Sequence, residues 1–316
     1  MQLVPGSERI VADASSDPVN GRVRWSPAKS LWIGSMTLAA LALGPFFFTW
    51  SAFLLFLCTC GVSLCAGHSV GMHRRLIHNS FECPLWLEYV CVYLGVLVGM
   101  AGPIGMMRLH DMRDWAQRQP DCHGYFGHRA GLLRDGWHQL HCELVLERPP
   151  QFRLEPRVAA DRVYAFLERT WMWQQLPWAL LFFAMGGLPW LVWGICARVS
   201  VCVTGHWLVG HFAHREGEQT WLVEGACVQG YNVRLAGLIS MGESWHNNHH
   251  AFPCSAKLGL EPGQADLGWV LLRVLERLGV AWNIVVPEDL PHRPALRRVA
   301  ERGRGCAVAQ WLMARG

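Results

Sequence analysis

Polarity along this chain switches between long uncharged blocks and charged segments rich in histidine. Between Lys29 and Arg74 lie 44 residues without one Asp, Glu, Lys or Arg. An apolar bilayer core takes about 20 residues per helix, so this block predicts a hairpin of two spanning helices, turning at Gly44-Pro45 or near Trp50-Ser51. A second block runs from Thr170 to Ala197 and, after Arg198, from Val199 to His214. It predicts another hairpin, with Gly186-Gly187-Leu188-Pro189 as its turn. A charge about nine residues into the fourth helix is costly in lipid, so Arg198 is expected to face the bundle interior, as a structurally paired or snorkelling side chain. The stretch Tyr89–Met107 is also uncharged. Its Gly95, Gly99, Gly102, Pro103 and Gly105 predict a broken or re-entrant segment, and a single crossing there would put the histidines before and after it on opposite sides of the membrane.

Basic residues orient the scheme. Arg9, Arg22, Arg24 and Lys29 precede the first span, Arg74 and Arg75 follow the second, Arg169 precedes the third and Arg215 follows the fourth, while both tight turns lack Lys and Arg. The positive-inside rule then places both termini in the cytoplasm. The expected fold is an all-α integral membrane protein of four transmembrane helices in two hairpins beneath a cytosolic helical cap. Residues 1–29 form an N-terminal tail, 30–72 the first hairpin, 73–169 the first part of the cap with the re-entrant segment 89–107, 170–214 the second hairpin, and 215–316 the rest of the cap and a C-terminal tail. The uncharged block behind residue 29 is too long for the core of a signal peptide.

Composition supports a membrane setting. Of the 316 residues 52% are hydrophobic and 16% charged, against roughly 25% charged in soluble domains. Seventeen Trp against five Tyr suit a wet–apolar boundary. A net charge of +4 is too small to imply nucleic acid as a partner. Twelve Cys without a CxxC pair or a regular framework read as reduced, mostly buried thiols, with neither disulfides nor a zinc site expected. Their spacing also lacks any iron–sulfur or haem pattern, so electrons would have to come from a separate carrier.

The chemistry is concentrated in fifteen histidines. His73-Arg-Arg-Leu-Ile-His78 follows the second span, His206, His211 and His214 close the fourth, and His246-Asn-Asn-His249-His250 lies beyond it, all on one side of the membrane. On a helix i, i+3 and i+4 share a face, so the last group is read as presenting three imidazoles to one place. His73 and His78 stand about 140° apart on an α-helix, which suits two ions, or one ion reached from a distorted turn. Such a surplus of imidazole fits two metal ions. His68, His138, His141 and His292 are read as ordinary interfacial residues with satisfied hydrogen bonds.

Gly-Met-His-Arg-Arg-Leu-Ile-His at 71–78, Gly-Glu-Ser-Trp-His-Asn-Asn-His-His-Ala-Phe-Pro at 242–253 and Trp-Leu-Val-Gly-His-Phe-Ala-His at 207–214 resemble the membrane fatty-acid desaturases, in particular their acyl-CoA Δ9 (stearoyl-type) branch. The resemblance covers roughly residues 30 to 285. It implies a di-iron centre in the cap, O2 as co-substrate, and a cis double bond, at Δ9 by the branch, cut into a long-chain fatty acyl substrate that is expected to be an acyl-CoA thioester. Electrons would come from an external carrier such as a ferredoxin or a cytochrome b5-type protein. The metal ligands carried over are His73, His78, His110, His214, His246, His249 and His250; no catalytic residue beyond them, and no substrate-binding residue, is assigned.

The resemblance breaks at the second histidine box. Where the family has HxxHH this chain has His110-Asp-Met-Arg113-Asp114, and Arg113, always protonated, cannot bind a metal. Asp114 is the substitute ligand at the last position of the box, with His123 and His128, another HxxxxH, as weaker candidates for a metal-binding or supporting role. The family's Asn that holds a metal-bound water is replaced by Gly210, and His211 beside it is read as a compensating or simply packed residue. Asp111 with Arg113, and Arg118 with Asp121, are expected to form ion pairs or phosphate contacts. Leu267, Val270, Leu271, Val274, Leu275 and Leu278 form the apolar stripe of a structural helix. Two other functions remain open on these residues: a lipid hydroxylase, or desaturase of another lipid, using the same site, and a metal-poor, non-catalytic lipid-binding membrane protein.

Overall fold

Pro27, which suits the first turn of a helix, starts α1 (Pro27–Leu43). The chain turns through Gly44–Thr49, and the Thr49 hydroxyl caps α2 (Trp50–Val62) by accepting from Ala52 N at 3.1 Å. A computed structural model describes residues 9–299, so the outer parts of both predicted tails lie outside the described residues. From α2 the helix continues without interruption as a π-helix, Ser63–Ile77. Together they form one apolar helix of 28 residues, Trp50–Ile77.

The π-helix is packed closely by α3 (Leu85–Val96). Gly67 and Gly71 make this possible: a Cβ on Gly67 would collide with the backbone of Leu94 and Gly95, and one on Gly71 would come within 2.5 Å of the Cys91 carbonyl carbon. The apolar stretch Tyr89–Met107 is two helices, not one, because the chain breaks at Leu97–Gly102 before α4 (Pro103–Gln117). Gly99 takes φ +88 in that break. Side chains hold two of its carbonyls: Leu97 O accepts from Arg198 and from Gln175 Nε2 at 3.1 Å, and Gly99 O accepts from Trp32 Nε1 at 2.8 Å. Glu168 then caps α4, accepting from Ile104 N and Gly105 N at 2.9 Å each. Arg198 is thus a buried structural clamp, only 2% exposed.

After α5 (Leu132–His141) and two short helices, α6 (Pro156–Ala159) and α7 (Arg162–Thr170), the second apolar block forms α8 (Gln175–Leu191), a π-turn over Val192–Ala197, and α9 (Arg198–Ala213). Gly187, at φ 63 and ψ −153, reverses the chain inside α8. The Phe182 ring consequently lies against Gly194, where a Cβ would stand 2.7 Å from it. In a straight helix those positions would be about 18 Å apart.

Among the described residues, two helical runs, Trp50–Ile77 and Gln175–Ala213, are long and apolar enough to cross a membrane, the second folding back on itself at Gly187. Their outward side chains are apolar and exposed, among them Leu54, Leu57, Leu180, Phe183 and Met185, as expected of a surface turned to hydrocarbon. The expectation of four spanning helices is met only in part, since α1 has 17 residues and so reaches about 26 Å. The all-α expectation also needs correction. Three two-stranded antiparallel sheets pair β1 (Ile10–Val11) with β4 (Gln151–Phe152), β2 (Gly21–Trp25) with β3 (Cys142–Leu146), and β5 (Trp221–Val223) with β6 (Leu296–Arg298). Part of the predicted N-terminal tail is therefore built into the fold. The remaining helices, α10 (His246–Ala251) and α11 (Leu267–Arg277), close the cap. On α11, Leu271 and Leu275 pack inward with the buried Leu272, whereas Val270, Val274 and Leu278 stay exposed.

Candidate metal centre

The π-helix decides what the first histidine pair does. With hydrogen bonds running i to i+5, as in His78 N to His73 O at 3.0 Å, five residues make close to one turn. His73 and His78 therefore share a face, with ring centroids 4.7 Å apart. His110 from α4 and His249 from α10 join them, and the four ligand nitrogens lie within 4.8 Å of one another. His78 Nε2 stands 3.2 Å from His110 Nε2.

His214, at the end of α9, meets His246 and His250 of α10 in a second group. His246 Nε2 is 3.0 Å from His214 Nε2 and 3.1 Å from His250 Nε2. The expectation that His246, His249 and His250 serve one place is corrected here. The i, i+4 pair His246 and His250 points to the second group, while His249 points to the first and brings the groups side by side, its ring 5.5 Å from that of His246. A helix of six residues needs outside anchoring, which the intervening asparagines supply. Asn247 Oδ1 accepts from Thr220 N and Trp221 N at 2.8 Å each, and its amide donates to Trp221 O and Gly230 O. Asn248 donates to Leu258 O and to Gln264.

Burial keeps five of these rings neutral. It drives the pKa values of His78, His214, His246 and His249 well below that of free histidine, helped by the neighbouring imidazoles, and lowers His250 to about 4. Burial also pulls on His110, but Asp114 and Asp111 outweigh it and raise that group. Imidazoles about 2.0–2.1 Å from a shared ion stand about 3.0–3.4 Å apart, as the Nε2 pairs here nearly do. Converging, mostly buried imidazole nitrogens fit two metal ions.

The weaker candidates separate clearly. Asp114 is held ionised against its burial by the electrostatic pull of His110, Arg118, His250 and His246, which sets it beside both groups. One of its oxygens accepts from Arg118 at 2.8 Å. His123 lies apart from both groups, where its Nδ1 accepts from Tyr125 N. His128 stacks on His214, with ring centroids 5.3 Å apart and planes at 13°. Near-parallel rings do not aim at one ion, so His128 is placed as a support. It fills the space that Gly210 leaves open, its Nε2 3.3 Å from where a Cβ would stand. Arg113 donates to that Nε2 at 2.5 Å and to Gln139 Oε1 at 2.8 Å. His211 converges with His128 and Asp135 in a third, buried group separate from the two histidine groups, where hydrogen bonds already join its members. Asp135 Oδ2 accepts from His128 Nδ1, His211 Nδ1 and Trp207 Nε1, each at 2.8 Å.

Both predicted ion pairs are exchanged for others. Asp111 is held by Arg9 at 2.5 Å, and Arg113 by the His128 network. Arg118 pairs with Asp114, while Asp121 pairs with Arg129 at 3.5 Å. The sequence reading passed over Glu243, whose Oε2 lies 2.6 Å from His73 Nδ1 and whose Oε1 accepts from Ser69 at 2.5 Å. Its place inside the 242–253 motif was the available signal. It also missed Asp135, Arg9, and the buried Arg74–Asp266 pair at 2.7 Å. His68 is not the hydrogen-bonded interfacial residue expected: its Nδ1 is buried without a partner among the described residues.

A cavity of about 240 Å³ reaches both histidine groups, touching His73 and His110 of the first and His214 and His246 of the second. Its other walls are largely apolar, including Trp32, Ile33, Met100, Met106, Leu109 and Val203. A largely apolar cavity that touches two metal-ready clusters can hold a hydrocarbon chain against them.

A sequence model of the family described as fatty acid desaturase matches residues 25–277. The chain is 33% identical to the probable lipid desaturase ADS3.2, chloroplastic, of Arabidopsis thaliana, over 84% of this chain and 72% of that protein. It is 31% identical to the acyl-CoA 5-desaturase AL21 of Anemone leveillei, covering 83% and 80%. It is 32% identical to the sn-1 stearoyl-lipid 9-desaturase of Anabaena variabilis, covering 80% and 93%.

Proposed function

This chain belongs to the fatty acid desaturase family of oxidoreductases, the premise from which we propose that it inserts a cis double bond at the Δ9 position of a long-chain fatty acyl group presented as a CoA thioester. The observation that carries the proposal is the apolar cavity reaching both histidine groups. Named relatives act on acyl-CoA and on acyl-lipid, at positions 5 and 9, and the stearoyl-type resemblance of the 242–253 motif favours the Δ9 reading.

His73, His78, His110 and His249 would hold one iron, and His214, His246 and His250, with Asp114 as the carboxylate beside them, the other. When bound, iron supplies the activation of O2 needed to take hydrogen from an unreactive methylene, with electrons from a separate protein such as a ferredoxin or a cytochrome b5-type carrier. Glu243, in ion-pair contact 2.6 Å from His73 Nδ1, would hold that ring with Nε2 turned to the metal, and Gly210 O orients His214 by accepting its Nδ1 proton at 2.7 Å. The Asp135–His128–Arg113 network backs the His214 ring and keeps the guanidinium occupied away from the ions. Trp32, Met106 and the other apolar walls exclude water and position a methylene by shape, since it offers no hydrogen bond.

In the membrane, α1, α2, α8 and α9 are proposed to form the four spans, with the π-helix end of Trp50–Ile77, the cap and both termini on the cytoplasmic side. The test is expression in a host without its own desaturase. New unsaturated acyl chains, with the double bond at Δ9 by gas chromatography–mass spectrometry, are expected, and His249→Ala abolishes them. A hydroxylated product, or no product from an iron-loaded protein, rejects the proposal.

A further inference from the structure

His68 lies five residues before His73 on the π-helix, the same interval that aligns His73 with His78, and so extends that face away from the metal ligands. His206 lies two turns before His214 on α9. Their rings meet edge to face, with centroids 4.8 Å apart and planes at 83°. Both belong to the cavity wall. Because His78 stands at the cap end of Trp50–Ile77 and His68 well inside it, the pair is on the membrane side of the metal groups, where the far part of an acyl chain would run.

Neither ring is satisfied by the protein. His68 is 7% exposed, and its Nδ1 has no hydrogen-bond partner. His206, an exposed residue of the cavity wall, makes no hydrogen bond to any described residue. Buried polar side chains are overwhelmingly hydrogen-bonded, so the buried, unpartnered His68, set beside His206 on the wall of a mainly apolar cavity, points to a polar atom on the ligand itself. Two nitrogen donors fall short of a closed metal site, and a proton relay would require the rings to continue into a hydrogen-bonded chain. A neutral imidazole donates through one nitrogen and accepts through the other, a match for a hydroxyl and, on the donor side, for a carbonyl.

We infer that His68 and His206 form a subsite for an oxygen substituent, hydroxyl or oxo, on the acyl chain, so that the preferred substrate is an oxygenated chain rather than a plain one. This rests on the cavity holding an acyl chain, as proposed above. A thioester carbonyl offers the same oxygen chemistry, but it belongs to the chain's anchored end, not to the part lying beyond the metal groups.

The test compares octadecanoyl-CoA with a set of octadecanoyl-CoAs bearing one hydroxyl or one oxo group at successive positions from mid-chain to the methyl end. Binding is measured by equilibrium dialysis on the iron-loaded protein in detergent without O2, and product is measured separately in air. The wild type is expected to bind at least one oxygenated chain about tenfold more tightly than octadecanoyl-CoA, since a site built to hydrogen-bond a substrate group rejects the analogue lacking it. The double variant His68→Leu with His206→Leu brings that ratio to about one, while His206→Asn, which keeps a donor and an acceptor, retains part of it; equal iron content shows that each variant is folded. A wild type that prefers no oxygenated chain, or leucine variants that preserve the ratio or weaken plain and oxygenated chains alike, overturns the inference. Discrimination in binding with no unsaturated product in air would instead reject the desaturase reading while leaving the subsite standing.

Discussion

Glu243→Gln isolates the role of a buried carboxylate in one of two adjacent metal groups. Glutamine is isosteric and keeps the acceptor for Ser69, but it removes the negative charge 2.6 Å from His73 Nδ1. Arg74, 3.9 Å from Glu243, retains its partner Asp266 at 2.7 Å, so the loss falls on His73 and not on the fold. Removing the group that orients a metal-ligating histidine typically costs 10–100-fold in metal affinity, about 1.4–2.7 kcal/mol. The second group should be unaffected, because His214 is oriented by a backbone carbonyl. In a chelator titration of the iron-loaded protein, one of two ions should leave at roughly 10–100-fold lower chelator concentration in the variant, with the other unchanged. His78→Ala should lose the same ion and His250→Ala the other. Equal loosening of both ions, or none, would refute the assignment of Glu243 to the first group.

Other consequences follow from the packing and the charges. His128 and His250, lowered to about 4 by burial, are held neutral in the fold; relative to about 6.5 in the unfolded chain, each contributes stability that is complete above pH about 6.5 and is lost as pH falls toward 4. The metal-free protein should therefore lose about 1.4 kcal/mol per pH unit for each across that window, seen as a falling unfolding midpoint, and a midpoint flat from pH 7 to pH 4 would contradict it. Gly268→Ala places a Cβ on the Arg74 guanidinium and against Ser69 Oγ, and should destabilise the protein by about 1–3 kcal/mol, measured as faster loss of the folded form in detergent. Arg198→Met leaves Leu97 O and Gln175 Oε1 without their buried cationic partner; a cost of about 1–3 kcal/mol is expected, read as a lower thermal midpoint with the double-bond position unchanged.

Much of this site is legible in the sequence because its ligands lie in short runs. The hairpin turn at Gly187 is equally local, since only glycine readily takes its positive φ. What the sequence hides is the helix type and the long-range partner. On an α-helix His73 and His78 diverge, and only the change to π geometry brings them onto one face, a change that no residue pattern announces. The same face, carried back five residues, made His68 a cavity residue when its position suggested an ordinary interfacial one. Asp135 serves His128 from seven residues away and His211 from 76, and Arg9 reaches Asp111 across 102 residues, from a segment that reads as a plain polar tail. Asp111 and Arg113, two residues apart on α4, look like partners in one dimension. The helix turns them to different neighbours.

The central claim is that the histidines gather into two adjacent sites, each holding one iron, despite the altered box at Arg113 and Asp114. Iron per purified chain, measured by inductively coupled plasma mass spectrometry alongside protein quantitation by amino-acid analysis, tests it most directly. The account predicts about two in the wild type and about one in His250→Ala; a wild-type value of one or none after reconstitution would contradict it.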